Sequence, residues 1–325
     1  PFNVNKKMSN FYIYYITSVL FFLFLHIFFR GDFVKKILFK GVGTAIATPF
    51  DSNGVNISAF KRLLNFQLSN SVDSIIVCGT TGEASTMSDV EKSSIIKCTV
   101  DFVNGKIPVI VGAGSNDTKK AISNAKLAES LGADGVLVVT PYYNKCTQFG
   151  FVEHYSKIAK SVSIPNILYN VPNRTGVNIE PETCLELSKI PNIIAIKEAS
   201  GNISKIAKIA ALCKDNLFIY SGNDDQILPI LSLGGIGVIS VLSNIKPLET
   251  HNIVTSFFDG NFDYSQKLQL DLLPLISALF CEVNPIPIKY ALNVLGFDFG
   301  SPRLPLSELS AKNKILLDNL LKRSV

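Results

Sequence analysis

Lys197 closes the run "NIIAIK" (residues 192–197), a short, branched, apolar stretch that reads as a strand buried on both faces. An amine at such a strand end either snorkels to water on its long stem or does chemistry. Taking an amine out of water disfavours its charged form. A neutral lysine can attack a keto group, and the resulting iminium is an electron sink for making or breaking carbon–carbon bonds. Partners suited to that chemistry close other apolar runs. Thr80 and Thr81 in "GTTGE" (79–83) supply hydroxyls and backbone N–H groups ahead of a helix, a fitting cradle for a carboxylate. Tyr143 in "TPYYN" (140–144) and Tyr169 in "LYNVPNRTG" (168–176) are residues that can relay protons. Arg174, in the same stretch as Tyr169, suits a small carboxylate, which a guanidinium grips as a fork.

Each residue also has a plain alternative. The threonines alone suit an ordinary turn, Tyr142 and Tyr143 suit loop aromatics, and Arg174 suits a solvated charge. Asp224 and Asp225 are expected to cap the following helix sooner than to bind metal. Lys289, in "NPIPIKYAL" (284–292), competes with Lys197 as the special lysine, but its place among C-terminal helices predicts a surface position.

What brings the first group together is the order of elements. Val- and Ile-rich runs recur at 42–47, 74–78, 108–112, 135–139, 166–171, 192–197, 217–221 and 235–241. Helix-length amphipathic segments separate them, several opened by a capping residue: Ser58, Ser88, Asp117 and Asn202. Strands alternating with helices imply parallel pairing through right-handed crossovers. Eight such units predict a closed (β/α)8 TIM barrel, over residues 37–245, followed by a helical appendage over 246–325. In such a barrel function gathers at the C-terminal strand ends. Thr80, Thr81, Tyr143, Tyr169, Arg174 and Lys197 all fall at that one mouth.

Composition removes several classes. Hydrophobic residues make up 47% and charged residues 18%, which places the chain among folded proteins. Net charge is +5, but five basic residues against one acidic lie before residue 37, so no basic stripe is left for nucleic acid. Six scattered cysteines form no CxxC pair, as in a reducing, cytosol-like compartment. The three histidines lack metal-ligand spacing, so no metal is expected. "GVGTAI" and "GAGSND" lack the third glycine of a dinucleotide loop, which disfavours a nucleotide-dependent oxidoreductase.

Residues 1–36 stand apart. Residues 11–29 carry no formal charge and as a helix would span roughly 28 Å, about one hydrocarbon core. The segment reads as an anchor, a leader or sequence ahead of the true start; the chain opens on Pro1, and Met8 is the first methionine. Were it retained as an anchor, a membrane-tethered binding barrel would be the rival reading.

"GTTGE", "TPYYN", "YNVPNRTG", "IKEASG" and "GGIGVISV", in this order, resemble the dihydrodipicolinate synthase family. That family sits in the pyruvate-dependent class I aldolase superfamily, which also holds N-acetylneuraminate lyase. The likeness runs from about residue 38 to near the end and includes "VNPIPIKYAL". It implies condensation of pyruvate with L-aspartate 4-semialdehyde in diaminopimelate and lysine biosynthesis, with no cofactor beyond a covalent imine on Lys197. It implies further that Tyr169 shuttles protons over that imine. Thr81 would link Tyr169 to Tyr143, which comes from a neighbouring subunit. Thr80 and Thr81 would hold the pyruvate carboxylate, Arg174 would meet the semialdehyde carboxylate, and Gly222 and Ile239 would line the site. The family's usual homotetramer, a dimer of dimers, and a cytoplasmic or plastid-like location are implied too. N-acetylneuraminate lyase or a sugar-acid aldolase is the alternative, disfavoured by Thr80-Thr81 and Arg174. One departure concerns feedback. Lysine-inhibited members carry a glutamate where this chain has Lys120, and often rings where it has Asp89 and Lys92, while Asn116 and Tyr142 keep the pattern. A cationic effector facing Lys120 is repelled, so lysine is expected to inhibit weakly.

Overall fold

Residues rich in β-branched side chains and flanked by turns form eight short parallel strands that close on themselves. A computed structural model of the chain describes residues 35–323, so the apolar stretch 11–29 lies outside the described residues. Residues from Lys36 onward form one unit. The barrel strands are β1 (Gly41–Ala45), β4 (Ser74–Val77), β5 (Val109–Gly112), β6 (Gly135–Val139), β7 (Asn166–Asn170), β8 (Ile193–Glu198), β9 (Phe218–Ser221) and β10 (Gly237–Ser240). A two-residue hairpin, β2 (Phe50–Asp51) and β3 (Gly54–Val55), follows β1. The seam is β1 paired to β10 on one side and β4 on the other. Glycine is needed there: a Cβ on Gly237 would lie 2.0 Å from the Gly41 carbonyl oxygen.

Between and after the strands run α1 (Ile57–Ser69), α2 (Asp89–Val103), α3 (Thr118–Ser130), α4 (Gln148–Ala159), α5 (Pro172–Thr175), α6 (Pro181–Leu187), α7 (Ile203–Cys213) and α8 (Ile227–Ser232). Helices α9 (Pro247–Phe258), α10 (Phe262–Leu279), α11 (Ile286–Val294) and α12 (Ala311–Arg323) come after the last strand. Three of the four expected caps are in place at Ser88, Asp117 and Asn202. Ser88 and Glu91 close a reciprocal capping box on α2. The first helix is capped by Asn56, not Ser58: its side chain accepts from the Ala59 N–H at 3.0 Å, two residues earlier than expected. Among the described residues no helix is long and apolar enough to cross a membrane.

Alternation along the strands divides the core in two. One set of side chains faces the helices in a large apolar layer. The other fills the barrel, where Ile76, Ile110, Leu137, Ile167, Ala195 and Ile239 pack around Tyr169 and Tyr220. Tyr220 stacks on Phe39 at 4.4 Å and donates to its carbonyl at 2.6 Å. That pair stoppers the end of the barrel from which β1 starts, leaving the opposite end for a ligand.

Candidate active site

The β7–β8 register pairs Tyr169 with Lys197, so the two side chains stand side by side on the inner face. Lys197 Nζ lies 4.5 Å from the Tyr169 ring centroid. Lys197 is 5% exposed, and among the described residues its amine makes no hydrogen bond or ion pair. The Tyr169 ring leads into a cavity of about 470 Å³ at the open end of the barrel. Thr80 and Arg174 are on its wall, with Tyr142, Val139 and Asn284. Cys78 also borders it, but burial pushes that thiol up to about 12, so it offers no thiolate.

The other expected residues are placed differently. Lys197, Thr81, Gly222 and Ile239 do not border the cavity, although Lys197 Nζ stands against the ring of Tyr169, which does. Ile239 packs in the same inner cluster as Tyr169. Gly222 lies against β8, where a Cβ would come within 2.6 Å of the Ala199 methyl. Of the two threonines, Thr80 is exposed to the cavity, whereas Thr81 is buried. The Thr81 hydroxyl oxygen instead accepts from Asn284 Nδ2 at 3.0 Å. Tyr143 is 90% exposed, sits in left-handed backbone at φ 71° and does not border the cavity. Such backbone costs a non-glycine residue roughly 1–2 kcal/mol, which the loop must offset elsewhere.

Two expectations are corrected. Lys289 is not at the surface. It is 1% exposed, donates to Glu83 Oε1 at 2.7 Å and to the Ser301 carbonyl at 3.1 Å, and lies 4.3 Å from the Phe50 ring centroid. Burial pushes its ammonium pKa down, and the Glu83 carboxylate pulls it back up. Asp224 does not cap the following helix. Its Oδ2 accepts from the N–H groups of Val241 (3.0 Å) and Leu242 (2.9 Å), beyond the last strand. Burial raises the Asp224 carboxyl, opposed by those bonds, by Ser240 and, least, by the charge of Lys197.

Two participants escaped the sequence reading. Asn284 reaches both sides of the mouth, through its side chain to Thr81 and its carbonyl to Arg174 Nη2 at 3.0 Å. Glu83, the last residue of "GTTGE", carries the buried carboxylate that Lys289 neutralises. The signal for Lys289 lay in its helix: Ile286 and Leu292, three residues to either side, put it on the apolar face.

Among the described residues no cluster of His, Cys, Asp or Glu is arranged to hold a metal. The site therefore offers an unpaired amine beside a phenol, a hydroxyl-bearing turn and a guanidinium.

The sequence profile of the dihydrodipicolinate synthetase family matches residues 38–324. The chain belongs to that family. A 4-hydroxy-tetrahydrodipicolinate synthase of Caldicellulosiruptor saccharolyticus is 58% identical over 285 residues, covering 87% of this chain and 96% of the relative. The crystal structure of a dihydrodipicolinate synthase from Thermotoga maritima superposes with a TM-score of 0.87 at 45% identity, covering 89% of this chain and 99% of that one. A family structure from Acinetobacter baumannii, complexed with pyruvate, superposes at 0.85 with 39% identity, covering 87% and 98%. Of the motifs that carry the likeness, Thr80, Tyr142, Tyr169 and Arg174 border the cavity.

Proposed function

We propose that the chain condenses pyruvate with L-aspartate 4-semialdehyde to form 4-hydroxy-tetrahydrodipicolinate, a lyase-class step of diaminopimelate and lysine biosynthesis. The observation that carries this reading is the unpaired Lys197 amine, set against the ring of Tyr169, a residue that borders the cavity. Names of relatives at 52–58% identity support the same activity.

The Lys197 nitrogen attacks the C2 carbonyl of pyruvate, and loss of water gives the iminium. Removal of a C3 proton then gives an enamine, because the iminium nitrogen takes up the electron pair. The enamine carbon adds to the aldehyde carbon of the semialdehyde and forms the new carbon–carbon bond. The semialdehyde's own amine next attacks the iminium carbon, closes the ring and returns the lysine. One water leaves overall, and no redox or metal cofactor is needed. The turn at Thr80 and Thr81 holds the pyruvate carboxylate, and Arg174 takes that of the semialdehyde. Gly222 and Ile239 shape the space around the imine.

Proton transfers during imine formation and loss fall to Tyr169. The relay beyond it is better assigned to Thr80, which faces the cavity, than to the buried Thr81. Tyr143 is exposed and does not border its own chain's cavity, so it is free to serve the site of a second copy. A dimer is then the least assembly with full activity, and a dimer of dimers is the expected form. Six free cysteines fit a reducing cytoplasm.

The experiment is borohydride reduction with pyruvate, followed by peptide mass mapping. An adduct on the peptide containing Lys197 is expected; an adduct elsewhere, or none, overturns the reading. Assays with aspartate semialdehyde and with sialic acid complete it, and faster turnover of sialic acid would reassign the chain within the superfamily.

A further inference from the structure

The most deeply buried ion pair among the described residues has no part in the steps above. Lys289 and Glu83 meet at 2.7 Å with side chains 1% exposed, 206 residues apart in sequence. Glu83 ends the turn that begins at Thr80, and its N–H donates to the Thr80 carbonyl at 3.1 Å. It adopts left-handed backbone at φ 53°, unfavourable for a residue with a Cβ. Something must hold it there. One carboxylate oxygen takes Lys289 and the other takes the Arg303 N–H at 2.8 Å. The Arg303 guanidinium in turn stacks on Phe50 at 3.9 Å and pairs with Glu91. One residue earlier, the Gly82 carbonyl accepts from the Thr48 hydroxyl at 2.8 Å. Two residues earlier, Thr81 is held by Asn284.

We propose that the segment Asn284–Lys289 belongs to the active-site machinery, with Asn284 and Lys289 as positioning residues that fix the Thr80–Glu83 turn for the carboxylate of pyruvate. The inference rests on the reading of that turn as the pyruvate cradle. Neither residue touches the reacting atoms. Asn284 sets Thr81 and Lys289 sets Glu83, so the four-residue turn is clamped at its second and fourth positions from outside the barrel sheet. A buried charge pair of this kind is poor evidence of stabilisation by itself, since apolar replacements often do as well. It is a stiff and directional fixture, however, and a carboxylate cradle needs correct placement to within fractions of an ångström.

Asn284→Ala separates this role from simple packing. It deletes the donor to Thr81 yet leaves the backbone carbonyl that receives Arg174. Loss of one such bond should raise the KM for pyruvate by about five- to tenfold, with the KM for aspartate semialdehyde within about twofold of wild type. Borohydride trapping by the variant should need correspondingly more pyruvate. The second variant, Glu83→Gln with Lys289→Met, removes both charges together and so avoids stranding one of them. It should show the same pyruvate-selective rise. If that double variant does not fold, Asn284→Ala decides alone. A folded Asn284→Ala enzyme with an unchanged pyruvate KM, or with both KM values raised equally, overturns the proposal. Failure of the wild-type enzyme to trap pyruvate on Lys197 would instead sink the Schiff-base reading, a separate and distinguishable result.

Discussion

Among the lysines buried in the described residues, Lys197 at 5% exposure and Lys289 at 1% have opposite surroundings. Around Lys289 a carboxylate, a backbone carbonyl and the face of a phenylalanine ring converge. Lys197 has the Tyr169 ring nearby and, among the described residues, no hydrogen bond or ion pair. Burial alone therefore does not mark a reactive amine. A lysine met by a carboxylate, a carbonyl and a ring is locked in place, so it serves as a fixture. A lysine without such a partner, set against a tyrosine that borders a cavity, is left free to meet a ligand.

The same substitution at the two sites should split these roles. Lys197→Met is expected to lower kcat by more than about a thousandfold and abolish pyruvate trapping. Its melting temperature should stay close to that of wild type, because no hydrogen bond or ion pair among the described residues is lost. A large fall in melting temperature would break the comparison. Lys289→Met should do the reverse, destabilising the fold by about 3–5 kcal/mol in denaturant titration because Glu83 is left charged and alone. If the loss is below about 1 kcal/mol, the pair is not the fixture described.

His154 sharpens the rule by being buried and under-partnered without bordering the cavity. Its Nδ1 meets the Thr118 hydroxyl at 2.9 Å, and its Nε2 has no partner among the described residues. Burial holds the imidazole down at about 4 against an ordinary 6.5. The unfolded chain thus binds the proton first as pH falls. Stability should be full above pH 6.5 and decline towards pH 4, with a slope approaching about 1.4 kcal/mol per pH unit. His154→Asn, which keeps a group for Thr118, should flatten that slope while kcat at neutral pH is unchanged. A slope identical in the variant would refute the assignment.

The smallest effects belong to pairing at the surface. Ser88→Ala opens the capping box of α2 and should cost about 1 kcal/mol in thermal or chemical melts. Lys120 is paired with Asp89 at 2.9 Å in the open, so Lys120→Ala should leave the melting midpoint unchanged within error. A positive charge at Lys120 still opposes a cationic effector. Added lysine is expected to inhibit weakly, and strong inhibition at sub-millimolar concentration would contradict that.

The strands and the place of Lys197 near the end of one were legible in sequence because both depend on local pattern. A branched apolar run bounded by turns has few alternatives to a strand, and its last residue marks the functional end of a barrel. Capping was legible at Ser88, Asp117 and Asn202, while at the first helix Asn56 took the role two residues before Ser58. Asp224 and Lys289 were misplaced for a shared reason. Their partners, Leu242 and Glu83, are 18 and 206 residues away, and spacing along the chain says nothing about which distant group will meet a charge. The choice between Thr80 and Thr81 was hidden likewise, since adjacent residues in a turn are told apart only by where each side chain is directed.

Because the Thr80–Glu83 turn is fastened by Asn284, Lys289 and Arg303, competence arrives late in synthesis. The last barrel strand ends at Ser240, well before any of those fasteners has been made. On the Schiff-base proposal, a ribosome-bound chain that emerges N-terminus first holds its proposed nucleophile from Lys197 onward but gains a settled seat for the keto acid only once Arg303 is free to dock. Stalled nascent chains released on either side of that point should differ in pyruvate capture far more than in helical content.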